Sequence, residues 1–172
     1  DLIVELKNAR GEVEALCLAV PFLRQGDYVV PEGAENTYAA GVRMFYQELV
    51  QCAALRQTEN QALVAVGHLQ AVGSEIAEKD YSERTIIGGL ECVSPDVFDE
   101  RIAYTALGHI HKAQRVSGKE HVRYAGSPLP MSFAERNYHH GAVLVILADG
   151  KLQSIEKLPY HPLVSLLSVP SG

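Results

Sequence analysis

The sequence predicts a sheet-rich α/β domain. Two short apolar runs each stop at Gly-His, one long segment carries helical periodicity, and the last third is dense in hairpin signals. At ~150 residues per domain, 172 residues amount to about one domain. Hydrophobic content is 47% and charged content 21%. That balance excludes a disordered chain, a collagen-like repeat and a coiled-coil rod. The longest nearly unbroken apolar run, Ala15 to Leu23, is too short for a spanning helix of ~20 residues. No membrane association is expected.

The elements follow in order. Leu2 to Leu6 is a short apolar run, Asn8-Ala9-Arg10-Gly11 is turn chemistry, and Val13 to Val20 is a second run that Pro21 ends. Gly26, Pro31 and Gly33 make 25–36 a loop. Residues 37–56 read as a helix: Val42, Phe45, Tyr46, Leu49, Val50 and Ala53 recur at three- and four-residue spacing. Arg43, Gln47, Gln51 and Arg56 fill its other face, and Asn36 is placed to cap it. Ala62 to Val66, before Gly67-His68, is a continuous apolar run of the kind buried on both faces of a sheet. Residues 73–84 are polar and read as a mobile loop, and Ile86-Ile87 as a strand-like piece. Ser94-Pro95 opens a short helix. Ile102 to Leu107 is a second buried strand, before Gly108-His109-Ile110-His111. Arg115-Val116 and His121 to Tyr124 flank a turn at Ser117-Gly118-Lys119. Gly126-Ser127-Pro128 and Pro130 form a stiff loop. Ala142 to Ala148 and Leu152 to Leu158 flank Asp149-Gly150, a strong hairpin signal.

Fifteen Lys and Arg against twenty-one Asp and Glu leave a net charge of −6. Such a surface is a poor overall match for DNA, although a basic patch or bound metal ions can dominate locally. Cys17, Cys52 and Cys92 form no C-x-x-C pair, which argues against a disulfide framework or a zinc ribbon. Three reduced, mostly buried thiols in a cytoplasmic protein are expected. The chain opens on Asp1 without a basic start and cleavage site, so no signal peptide is expected.

The histidines carry the chemistry. Buried strands that stop at Gly-His place imidazoles at the carboxyl-end rim of a sheet, where α/β folds bind ligands. In His109-Ile110-His111 both rings leave an extended backbone on the same side. Neutral imidazole is a common ligand of zinc, manganese and iron. His68, His109 and His111 are therefore candidate metal ligands. The plainer reading is a polar group satisfied at a strand end. No Asp-x-His or Asn-His pair supplies the oxygen ligands of a two-metal site. His139-His140 reads as a surface loop, and His121 and His161 as structural.

Gly108-His109-Ile110-His111-Lys112-Ala113-Gln114, followed by Arg123-Tyr124-Ala125-Gly126-Ser127-Pro128, resembles the SbcD family, the nuclease subunits of the bacterial SbcCD exonuclease. That family lies within the calcineurin-like metallophosphoesterases. Pro21-Phe22-Leu23-Arg24 and Gly67-His68-Leu69 match it too, so the resemblance runs from about Val4 to about Leu158. It implies a metallophosphoesterase-type β-sandwich flanked by helices. Residues 1–160 would be the C-terminal half of that domain, and 161–172 a tail or linker to a capping region. It implies two divalent metal ions, usually manganese, with His68 and His109 on one and His111 on the other. The family's remaining ligands, and the histidine that serves as its general acid, belong to motifs this sequence lacks. A fragment with weak metal binding and no activity of its own is expected.

The same resemblance implies roles for neighbouring residues. Gly126, Ser127 and Pro128 would support the site, and Lys112, Arg115 and Arg123 would meet phosphates. The parent would be an ATP-dependent double-strand exonuclease and single-strand endonuclease in repair and recombination. Its implied partners are an SbcC-type ATPase, double-stranded and hairpin DNA, and a second copy of itself. Two other readings stay open. One is a small-molecule phosphodiesterase or phosphatase of the same superfamily. The other is a non-catalytic interaction module that docks a partner along a sheet edge.

Overall fold

The computed structural model describes residues 1–74, 92–164, 166, 167 and 169. Most of the expected polar loop, and the Ile86-Ile87 piece, lie outside these residues. The chain folds as an α/β domain on a six-stranded mixed sheet. Its strands are β1 (Ile3–Lys7), β2 (Val13–Ala19), β3 (Ala62–His68), β6 (Tyr104–Gly108), β8 (Lys119–Tyr124) and β7 (Gln114–Val116), in that spatial order. Strands β2, β3, β6 and β8 run parallel, and β1 and β7 are antiparallel edges. Two-stranded pieces β4 (Gln70–Ala71) with β5 (Cys92–Val93), and β9 (Gly141–Ala148) with β10 (Lys151–Pro159), complete it.

Each turn has a local cause. The Asn8 carboxamide accepts from the backbone N–H of Arg10 and Glu12, at 2.9 and 3.0 Å, and so closes the β1–β2 hairpin. Asp149 and Gly150 both take positive φ, at 50° and 74°, as a two-residue turn matched to strand twist requires. Ser94 Oγ accepts from Asp96 N at 3.3 Å and starts a single 3₁₀ turn, Pro95–Val97.

Helix α1 spans Thr37–Ala54, two residues short of the periodicity's reading, and Asn36 Oδ1 caps it by accepting from Ala39 N at 3.0 Å. Val42, Tyr46 and Val50 are fully buried on one sheet face, with Leu16, Leu18, Leu63, Ala65, Leu107 and Val122 in the same core. Removing such side chains from water stabilises by ~1.5–3 kcal/mol each. The β9–β10 hairpin reaches back to the start of β3. A cleft of about 650 Å³ there is lined by Ala15, Ala62, Val145 and Leu147. The outward residues Leu144 and Ile146 are 41% and 42% exposed. Cys17 is buried as expected, whereas Cys52 is exposed, because it sits on the solvent side of α1. Among the described residues, no helix is long and apolar enough to cross a membrane.

One contact ties the helix to the strand that bears His68. The buried Tyr46 hydroxyl donates to Val66 O at 3.3 Å, and its ring meets Phe98 edge-on at 5.0 Å. A Cβ on Gly67 would stand 2.4 Å from that hydroxyl oxygen. Gly67→Ala is therefore expected to cost ~1–3 kcal/mol by overpacking. In a Tyr46→Phe background it should cost measurably less in urea unfolding. Equal costs in both backgrounds would show that the clash is not the cause.

The turn that feeds β6 is held by Asp99. Its carboxylate takes two side-chain hydrogen bonds from Arg101 at 2.8 Å and one from the Arg101 N–H at 2.9 Å. The Arg101 side-chain bonds, outweighing the opposing effect of burial, lower the Asp99 pKa to about 2. A lowered carboxylate pKa adds stability that is fully present above the ordinary value near ~4 and is lost as pH falls through about 2. Asp99→Asn should thus destabilise by ~1 kcal/mol or less near neutral pH, Arg101 being half-exposed and Asp99 partly so. The gap to wild type should close between pH ~4 and ~2. A gap that persists at the acid end would refute the assignment.

Candidate functional site

The parallel register sets the site. His68, the last residue of β3, pairs with Gly108, the last residue of β6, so both strands end at the same rim. His109 follows directly, and its ring stands 5.3 Å from that of His68 in a T-shaped arrangement. Gly108 lets the rings approach: a Cβ there would lie 3.0 Å from His68 Nδ1. Phe22 stands edge-on to His68 at 6.0 Å, which brings Pro21-Phe22-Leu23-Arg24 to the same rim.

His109 holds φ at +103°, a region that side-chain-bearing residues rarely enter. Strain of this kind collects where function constrains the backbone. Its pKa is lowered, first by burial and then by the charges that His68 and His111 would carry. The three imidazoles thus lie within electrostatic reach, and burial favours the neutral form that ligates metals.

His111 takes a different partner. Its Nδ1 lies 2.8 Å from Oε1 of Glu135, a carboxylate with no exposed surface. The other oxygen, Oε2, accepts from Met131 N at 2.9 Å and from Ser127 Oγ at 3.2 Å. Ser127 N donates to His111 O at 3.0 Å. Gly126, at φ +83°, passes so close that a Cβ would stand 2.8 Å from His111 O. The Gly126-Ser127-Pro128 loop therefore lies directly against the His111 backbone.

His140 overturns its reading as a surface-loop residue. It is buried, with Nδ1 3.0 Å from Ser127 O and Nε2 3.3 Å from Glu135 O. The polar turn folds inward and sets this one imidazole against both carbonyls. His161 is exposed and His121 half-buried. Arg115 and Arg123 both pair with Glu120 on the β7–β8 hairpin. Lys112 is half-buried beside His111, and its carbonyl accepts from Gln114 Nε2 at 3.2 Å. Among the described residues, no three His, Cys, Asp or Glu side chains converge on a single ion position. The rim thus offers a two-imidazole pair and, beside it, an imidazole backed by a carboxylate.

Glu135 is the residue that sequence reasoning missed. The available signal was Ser132-Phe133-Ala134-Glu135, an S-x-x-E spacing usually read as a capping box. Glu135 does sit in a 3₁₀ turn, Phe133–Asn137, but Ser132 makes no side-chain cap there. The carboxylate turns to His111 instead.

The chain is 37% identical to the SbcD subunit of the SbcCD nuclease of Rhodobacter capsulatus, across 98% of its own length and 42% of that protein's. It is 35% identical to the SbcD subunit of Escherichia coli K12, across 89% and 39%. A third relative, the SbcD subunit of Bacillus subtilis, is 33% identical across 51% and 22%. The chain belongs to the SbcD family. It spans about two fifths of the length of the first two relatives. No protein-family model matches it. The rim residues His68, His109 and His111 thus sit in a segment that is SbcD-like nearly end to end.

The backbone at His109 makes a specific prediction. A residue with a Cβ is penalised by ~1–2 kcal/mol in left-handed conformations, and glycine is not. His109→Gly should be more stable than His109→Ala by about that amount in urea unfolding. The reverse order would show that His109 does not hold a positive φ in solution.

Proposed function

We propose that this chain is part of the catalytic domain of a metal-dependent nuclease subunit. The observation that carries the reading is the His68–His109 pair on the shared rim of β3 and β6, within an SbcD-like sequence. Two imidazoles on one ion, with metal–nitrogen bonds of ~2 Å, hold their ring centroids roughly 5 Å apart. The observed 5.3 Å fits that. His68 and His109 would hold one divalent ion and His111 a second, with manganese the preferred metal. Such a pair of ions activates water and clamps a scissile phosphate. Among the described residues no group of three or more His, Cys, Asp or Glu completes either shell, so weak manganese binding and no cutting are expected of the chain by itself.

This chain's own residues do the positioning. Burial beside two other imidazoles favours the neutral, ligating form of His109. Gly108 and the strained backbone at His109 set the ring spacing. Arg115 and Arg123 share Glu120 on β7 and β8, which leaves one net positive charge there, and Lys112 lies next to the rim. These are the groups we assign to phosphate contact. The full-length protein would act on double-stranded and hairpin DNA in the cytoplasm, during repair and recombination, as a homodimer with an SbcC-type ATPase. The relatives are named as one subunit of SbcCD, which supports the ATPase partner.

The test is manganese-dependent digestion of an end-labelled duplex by the full-length protein, beside its His111→Ala variant. Loss of cutting in the variant is expected. Equal cutting by both, or none by the parent, moves the assignment to a small-molecule phosphodiesterase or to an interaction module. A manganese titration of the 172-residue chain alone should show weak binding, and a tight two-ion isotherm would contradict the incomplete-site reading.

A further inference from the structure

We propose that Glu135 is a positioning residue for His111. Its role is to hold the ring as the Nδ1–H tautomer, so that the lone pair offered to a metal sits on Nε2. The inference rests on the proposed metal-site reading and adds a residue to it.

The first argument is burial. A carboxylate with no exposed surface is costly unless its oxygens are hydrogen-bonded. Glu135 meets that condition with donors: the Met131 N–H and the Ser127 hydroxyl on Oε2, and His111 on Oε1. His111 Nδ1 stands 2.8 Å from Oε1, and with Glu135 as the acceptor of that bond, as it is of the other two, Nδ1 carries the proton. In a neutral imidazole the lone pair then lies on the other nitrogen.

The second argument is rigidity. Both Glu135 oxygens are engaged, so the carboxylate cannot rotate away without breaking bonds to His111, Ser127 or Met131. The Ser127 backbone donates to His111 O, and the Ser127 carbonyl is held by His140. His140 also reaches Glu135 O through its other nitrogen. The ring, the carboxylate and the loop are thus clamped together from three positions in the sequence. This is the arrangement by which an outer carboxylate fixes the tautomer and orientation of a ligating histidine, and its loss costs ~10–100-fold in metal affinity.

The measurement needs no variant at first. Long-range ¹H–¹⁵N NMR of the histidine rings in the metal-free chain should report His111 as the Nδ1–H tautomer at neutral pH. An Nε2–H tautomer would overturn the proposal. Next comes manganese affinity, measured by calorimetry on the full-length protein. Glu135→Ala should weaken it ~10–100-fold and shift the His111 tautomer balance. Glu135→Gln, which keeps an acceptor of the same shape, should weaken it less. Wild-type affinity in Glu135→Ala, with His111→Ala strongly impaired, would sink the positioning role alone. Wild-type affinity in His111→Ala would sink the metal reading and this proposal with it. Where Glu135→Ala does not fold, Ser127→Ala removes one anchor of the same carboxylate and should weaken affinity several-fold. No change in Ser127→Ala, together with an Nε2–H tautomer in the wild type, would overturn the proposal.

Discussion

Two parallel strands present their last side chains side by side only when they end in register. In this chain that register is the pairing of β3 with β6, which sets His68 against Gly108. It is held from below by the core that α1 builds on the sheet. Val42, Tyr46 and Val50 lose all exposure there, and Tyr46 reaches the carbonyl of Val66 two residues before His68. A slip of one residue would turn every side chain of a strand to the opposite face. Leu63 and Ala65 would leave the core, and His68 would leave the rim. The imidazole pair is therefore as well determined as the hydrophobic face that fixes the strands.

Much of this was legible in the sequence because it depends on local pattern. Ala62 to Val66 and Ile102 to Leu107 are apolar without alternation, the signature of strands covered on both faces, and both stop at Gly-His. The helix showed in its three- and four-residue spacing, and the Asp149-Gly150 hairpin in its turn residues. What stayed hidden depends on contacts across the chain. Glu135 lies twenty-four residues from His111, and nothing in Phe-Ala-Glu-Arg-Asn marks one of its charges as fully buried. His140 read as surface because its neighbours are polar, yet it lies buried against the carbonyls of Ser127 and Glu135. Arg115 and Arg123 looked like separate cations, but strand pairing sets them opposite each other with Glu120 close to both.

The site therefore has two kinds of support. The His68–His109 pair rests on backbone register and the absence of a side chain at Gly108. His111 rests on a polar clamp assembled from the loop 125–140. The first kind follows from packing, which tolerates changes of side chain as long as volume and pattern are kept. The second is less forgiving. A buried carboxylate stripped of its partners keeps its full desolvation cost, so loss of one partner hurts more than the bond itself is worth. Substitutions in the loop should thus act on His111 well before they act on the sheet.

The strained backbone joins the two. Leaving β6 at Gly108, the chain must turn sharply enough to keep the His109 ring beside His68 and still bring the His111 carbonyl to the Ser127 N–H. With both contacts in place, His109 takes a φ of +103°. Gly126 meets the same demand from the other side, since any Cβ there would strike the His111 carbonyl at 2.8 Å. One residue carries a side chain where the backbone disfavours it, and the other lacks a side chain where none fits. Both accompany the placement of His111 beside the His68–His109 pair.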